Sequence, residues 1–280
     1  MRARLLALAV AALAGLGLVV PSSPASASTG GTVDGDTHPN VGLIAFYDAD
    51  GRFRCSATLI SPTVLVTAAH CTSGTLGKTL VTFASVVAEA PPSPLPVAAD
   101  PSAGYTAAEL AAAGYLSGTA YTHPQYSDFT DLRNWNDVGV VVLDQPVTTI
   151  APAPLAPVGT VDAVKQPRKT LFTAVGYGTE VRQAESGPQK PTPMSYPIIR
   201  RYVEMPGQKI TPQIIQTNGN EKDPFGTGGT CFGDSGGSLW LGGQVVGVTS
   251  YGLTQNCRYI DGYQRIDIPV VADWLAGFLG

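Results

Sequence analysis

The chain has 280 residues, a formal net charge of -4 and 44% hydrophobic residues, with 32 glycines, 23 prolines and four cysteines. Such mild acidity argues against a nucleic-acid or anionic-membrane binder. A chain of this length buries roughly 70 to 75% of its unfolded surface, so it does not need cysteine staples to fold.

Arg2 and Arg4 precede an apolar run over residues 5–20, and residues 21–27 close on Ala25-Ser26-Ala27, the small-x-small pattern that signal peptidase cuts. Residues 1–27 therefore read as a signal peptide, and the product is expected to be secreted and free of the membrane. A retained anchor is the competing reading, for which the run is short. Beyond it, short β-rich runs recur between turn residues, at 41–46, 57–60, 64–67, 138–143, 171–175 and 244–251. With helical periodicity nearly absent, this spacing predicts an all-β chain of antiparallel strands in barrels or sandwiches. Residues 90–104 are too rich in proline for a ladder and are expected as a surface excursion. A second break over 145–157 precedes fresh strand patterns. It divides the chain into 28–150, an N-terminal segment with a first β unit, and 151–280, a second β unit. One helix is expected, at 268–279, where Val270, Val271, Trp274, Leu275 and Phe278 form a stripe.

Four cysteines in an exported chain read as two disulfides. Of three possible pairings, sequence separation favours Cys55 with Cys71 and Cys231 with Cys257. A zinc site is the alternative, but the tight spacing of zinc ligands is missing, so no metal is assigned. Chemistry concentrates in two stretches, Thr67-Ala68-Ala69-His70-Cys71 and Gly233-Asp234-Ser235-Gly236-Gly237. A serine hydroxyl is a poor nucleophile until a base takes its proton, and imidazole suits that task near neutral pH. The candidates are His38, near the mature N-terminus, His123, in a polar turn-like stretch, and His70, which these positions favour. A satisfied core histidine and a glycine-rich hairpin are the bland alternatives. Glycines around Ser235 permit a tight turn on which the N–H groups of Gly233 and Ser235 converge on an oxyanion. Asp137, at the mouth of the 138–143 run, is the expected acid that orients the imidazole, with Asp128 and Asp131 as rivals in a polar loop.

Together with Asn136-Asp137-Val138-Gly139-Val140-Val141, the two stretches resemble the histidine, aspartate and serine motifs of the chymotrypsin/trypsin family of secreted serine endopeptidases, in the family's order. The resemblance runs from about Val33 to the C-terminal helix. It implies two antiparallel β-barrels that together form one peptidase domain, with the active site in the cleft between them. It further implies His70, Asp137 and Ser235 as the triad, Gly233 and Ser235 as the oxyanion hole, and Ser250-Tyr251-Gly252 as the segment that pairs with substrate backbone. Substrates are then proteins or peptides, proteinaceous inhibitors share the cleft, the chain is a monomer and no cofactor is required. Two rivals remain. An α/β-hydrolase also carries G-x-S-x-G, but its histidine follows the serine, and none does here. A catalytically inactive homologue would use the cleft as a protein-binding module; the presence of all three triad residues argues against it.

Three places depart from the family pattern, one of them Tyr251, which stands where a tryptophan is often seen and is expected to alter one pocket wall. Family members commonly begin their mature domain with Ile-Val-Gly-Gly, whose freed amine pairs with the aspartate before the nucleophile. Here Thr32-Val33-Asp34-Gly35 stands in that place, although Asp234 is present. Six residues before the nucleophile, where trypsin-like members carry the acid that selects lysine or arginine, stands Gly229. With Gly252 leaving the pocket entrance open, broad or large-apolar specificity is expected. The alternative is an Arg/Lys-directed peptidase in which Asp261 supplies the charge from another wall; otherwise Asp261 is a surface turn residue.

Overall fold

The computed structural model describes residues 31–182, 192–193 and 195–280; the signal peptide expected over residues 1–27 lies outside them. Six strands, β1 (Val41–Asp48), β2 (Gly51–Ser61), β3 (Val64–Thr67), β4 (Leu76–Thr82), β5 (Leu116–Thr122) and β6 (Gly139–Leu143), close an antiparallel barrel in the order β1-β2-β3-β6-β5-β4. Six more, β7 (Leu171–Gly176), β8 (Arg201–Ile210), β9 (Ile214–Asn218), β10 (Ser238–Leu241), β11 (Gln244–Gly252) and β12 (Ile260–Arg265), close a second in the order β8-β9-β12-β11-β10-β7. Two short helices, α1 (Ala107–Ala112) and α2 (Pro269–Leu279), complete the frame. The all-β, two-barrel expectation is met.

Period-two alternation explains the packing. Along β1, Val41, Leu43, Ala45 and Tyr47 enter one buried cluster, while Ile44 and Phe46 enter another with Leu59, Leu65, Val81 and Val141. The second barrel has its own interior, which includes Phe172, Met205, Leu239 and Tyr263. The cluster on the other face of β1 also takes Val175 and Val248 from the second barrel and Val271 and Leu275 from α2, so it joins the barrels. Each fully buried side chain of this kind contributes about 1.5–3 kcal/mol.

The first and last described elements cross the seam. Thr32–Val33 adds a short strand to β8 of the second barrel, while α2 lies on the first. There Trp274 sits edge-on to His123 at 5.0 Å and Phe278 packs on Tyr121 at 5.5 Å. The expectation of a single helix is corrected by α1, whose six residues are too few to show apolar periodicity. A capping box starts it, Thr106 and Glu109 each accepting the other's N–H. Residues 90–104 contain no strand, as expected, but Leu95 and Ala98 are buried and anchor the excursion.

Candidate active site

His70 and Asp137 come from the first barrel. Strand β3 runs into one 3-10 turn, Ala69–Cys71, clamped to β2 by the Cys55–Cys71 disulfide. Asp137 precedes β6 and follows Asn136, whose φ of 43° lies in the left-handed region that asparagine tolerates better than most residues. The bend aims the carboxylate at the turn. Its Oδ1 accepts the His70 main-chain N–H at 2.9 Å, and its Oδ2 lies 2.9 Å from His70 Nδ1. The carboxylate is fully buried and the imidazole 23% exposed. Because a carboxylate accepts, Nδ1 carries the ring proton and Nε2 is left as the basic nitrogen.

The second barrel braces this pair. Ser250 Oγ donates to Asp137 Oδ2 at 2.6 Å and accepts from Trp135 Nε1 at 2.8 Å. Gln264 Oε1 accepts the Asp137 N–H at 3.1 Å. The family resemblance implies a place for Ser250 in substrate pairing; its side chain also holds the acid.

Ser235 lies on a turn between Gly233 at φ 99° and Gly236 at φ 74°, both in the left-handed region where glycine is favoured. A methyl group at Gly236 would collide with Thr67 Oγ1, so the turn is pressed onto the end of β3, just ahead of His70. From β2, the Ser56 N–H donates to Ser235 O at 2.8 Å, and Ser56 Oγ donates to Gly233 O at 2.8 Å. Asp234, buried, accepts from Gly178 N–H at 2.7 Å and Cys231 N–H at 2.9 Å. The N–H of Asp234 goes to Cys231 O, that of Gly236 to Thr249 O and that of Gly237 to Asp234 O. Those of Gly233 and Ser235 have no acceptor among the described residues. The Cys231–Cys257 disulfide ties this loop to the segment after β11, so both expected pairings are formed.

A cavity of about 280 Å³ opens beside Ser235, walled by Thr230, Cys231, Ser250, Tyr251, Gly252 and Cys257 among others. Gly229 stands behind this wall, where a Cβ would lie 2.5 Å from Gly219 O and 2.9 Å from Asp261 Oδ2. The surface-turn reading of Asp261 is overturned: it is 1% exposed, within β12, and accepts the Thr230 N–H at 2.7 Å. Burial pushes its carboxyl up to about 8. The bare positions at Gly219 and Gly229 are what admit this carboxylate.

The rival residues have other employment. Asp128 accepts from Tyr126 Oη, and Asp131 from Arg133 N–H and Asn134 Nδ2 in a turn. His123 lies under α2 and is held near Val270 O at 3.3 Å. His38 pairs with Asp34, which also receives Arg200 Nε at 2.8 Å. Although burial pushes the Asp34 carboxyl up, hydrogen bonds from His38 and Arg200 outweigh it and hold it below its ordinary range. The Thr32-Val33-Asp34 stretch is thus engaged in strand pairing and a buried ion pair. An aromatic wall absent from the sequence reading runs from His70 through Phe129 (5.6 Å) and Trp135 (5.2 Å) to Tyr251 (5.5 Å).

The model of the Trypsin family matches residues 35–275, and the chain belongs to that family. Brachyurin of Leptuca pugilator is 29% identical over 234 residues, covering 81% of this chain and 88% of that protein. Trypsin of Saccharopolyspora erythraea is 28% identical over 227 residues, covering 79% and 86%. Among solved structures, an HL collagenase superposes with a TM-score of 0.62 at 18% identity, covering 90% of this chain and 98% of that one. Human heparin binding protein does so with a TM-score of 0.58 at 18% identity, covering 89% and 95%. At such identities these two show the fold. Family and relatives make this chain a trypsin-like serine endopeptidase, a hydrolase acting on proteins.

Proposed function

We propose that the chain is a secreted endopeptidase that hydrolyses peptide bonds through an acyl-enzyme on Ser235. The observation that carries this is the buried Asp137 carboxylate holding His70 Nδ1 at 2.9 Å, next to a serine turn with two unengaged N–H groups. His70 Nε2 takes the Ser235 proton as Oγ bonds to the scissile carbonyl, and the oxyanion forms between the N–H groups of Gly233 and Ser235. The imidazolium, stabilised by Asp137, then protonates the leaving amine as the C–N bond breaks. Water, deprotonated by the same imidazole, releases the acyl group and restores Ser235. Neither a cofactor nor a metal enters these steps.

The expected signal peptide and the two disulfides support secretion. No helix among the described residues is long and apolar enough to cross a membrane. The chain acts as a monomer, and proteinaceous inhibitors would occupy the same cleft. For the residue before the scissile bond, the open Gly252 wall and the apolar faces of Tyr251 and Leu253 favour large apolar side chains. A second reading rests on Asp261. Its carboxyl is largely protonated near neutral pH, yet an arriving guanidinium or ammonium would draw it into the charged form, so basic side chains are accepted as the pH rises. Hydrolysis of a denatured protein by the purified mature chain tests the main reading. It should vanish in Ser235→Ala and after a serine-directed label; a chain that binds such substrates without cutting them is instead the inactive homologue. Matched peptides with Phe, Leu, Arg or Lys before the cleaved bond decide between the two specificities.

A further inference from the structure

A second groove, of about 500 Å³, lies on the other side of the serine turn from the specificity cavity, and Phe232 lines both. It is lined by Gly233, by Arg52 and Arg54 of β2, and by Leu95 and Tyr196. Two residues apart on one strand, the arginines share a face. Arg54 is half-buried, with its Nε 3.5 Å from where a Cβ of Gly233 would sit. Its one hydrogen bond among the described residues is a long one, 3.4 Å, to Ser195 O. Arg52, exposed, reaches Pro96 O at 2.7 Å. Asp234 adds a favourable field from behind Gly233, but its carboxylate is buried and already takes two main-chain N–H groups. No carboxylate lines the groove among the described residues. Two cations thus face a groove whose described lining holds no carboxylate, on a chain whose net charge is -4.

A substrate whose side chain before the scissile bond fills the first cavity must leave Ser235 on the opposite side, past Gly233 and into this groove. The geometry points to Arg54, supported by Arg52, as the determinant that selects an acidic side chain one to three residues after the scissile bond. The inference rests on the endopeptidase reading. A guanidinium presents several N–H donors in a planar fork that matches a carboxylate, and the shallow, partly shielded setting limits the gain to that of a surface ion pair.

The test uses the mature enzyme and internally quenched peptides identical before the cleaved bond, with Glu, Gln or Lys at each of the first three positions after it. Cleavage of the Gln peptide, lost in Ser235→Ala, verifies the endopeptidase reading by itself. Against that reference, Glu should raise kcat/KM about fivefold at one position, less at 1 M salt, and Lys should lower it. Arg54→Gln should bring the Glu-to-Gln ratio to about one, Arg54→Glu should invert the order in favour of Lys, and Arg54→Lys should retain part of the preference. If Arg54 variants do not fold, Arg52→Gln, at an exposed site, should still reduce the ratio. Equal rates for Glu and Gln at all three positions, or a preference unchanged in Arg54→Gln or Arg52→Gln, would overturn the assignment while leaving the peptidase reading intact.

Discussion

The proposed catalytic seam and specificity pocket share strand β11, yet the buried acids beside them, Asp137 and Asp261, are housed in opposite ways. At the seam Asp137 takes donors from both barrels: the His70 main chain and imidazole from one, Ser250 Oγ from the other. Behind the pocket wall, Asp261 takes the Thr230 N–H at 2.7 Å and the Thr230 hydroxyl and lies against Gly219 and Gly229, and burial pushes its carboxyl up to about 8. The difference lies in preorganisation. The acid that the proposed mechanism uses in every turnover is met by donors from both barrels, whereas one whose donors come from a single residue is poised to respond to what enters the pocket.

The sharpest way to break the comparison is at the seam. Ser235→Ala should leave the fold intact and abolish nearly all hydrolysis, and Asp137→Asn should lower turnover on the order of 10⁴-fold by holding the wrong imidazole tautomer. Steady-state rates with circular dichroism as the folding control check both; wild-type turnover in either variant removes the mechanism. Next in size are the disulfides that clamp the two catalytic turns. Cys55–Cys71 closes a separation of 16 residues and Cys231–Cys257 one of 26. Replacing either pair by alanine should cost roughly 2–5 kcal/mol, read from urea midpoints.

The proposed triad of His70, Asp137 and Ser235 was legible as three motifs, because each residue sits in a short stretch whose neighbours are themselves required. Gly236, for example, must be bare to let the turn rest on Thr67. Ser56, Trp135 and Gln264 were not legible. Their roles exist only across the seam, 177 residues from Gly233 in the case of Ser56 and 127 from Asp137 in the case of Gln264. All six expected strand runs fall in or within a residue of real strands. Strand β8 escaped because Pro206 and Gly207 interrupt its pattern, and the structure gives the reason. Residues up to Pro206 pair with β7, and from Gly207 onward the partner is β9, so proline stands where the strand changes neighbours. The capping pair Thr106 and Glu109 was visible in the chain, but a helix of six residues gives no periodicity to support it.

A subtler break concerns the bond that ties Asp137 to the second barrel. Ser250→Ala removes a donor to a buried carboxylate, worth about 1.5–3 kcal/mol for a charged partner, so turnover should fall about 10- to 100-fold. The loss belongs mainly in kcat, because the serine side chain acts on the acid rather than on bound substrate. An unchanged kcat would mean that the first barrel alone positions the acid.

The smallest expected effect sharpens the pocket side. A carboxyl whose folded pKa of about 8 stands above its ordinary 3.8 binds its proton more tightly in the folded chain. The stability it contributes is complete below the lower value and is lost as the pH rises through about 8. Asp261→Asn cannot titrate and keeps an uncharged group beside the Thr230 N–H, so between pH 5 and pH 9 its Tm should fall less than that of the wild type. The gap between the two Tm-against-pH slopes, converted at roughly 2–4 °C per kcal/mol for a chain of this size, measures the proton's share of the stability. The same substitution should erase any rise, between pH 7 and 9, in the ratio of kcat/KM for Arg or Lys over Phe before the scissile bond. Identical pH slopes for both proteins would show that Asp261 is already ionised at neutral pH. Its surroundings would then hold it as a charge, and the contrast between the two acids would disappear.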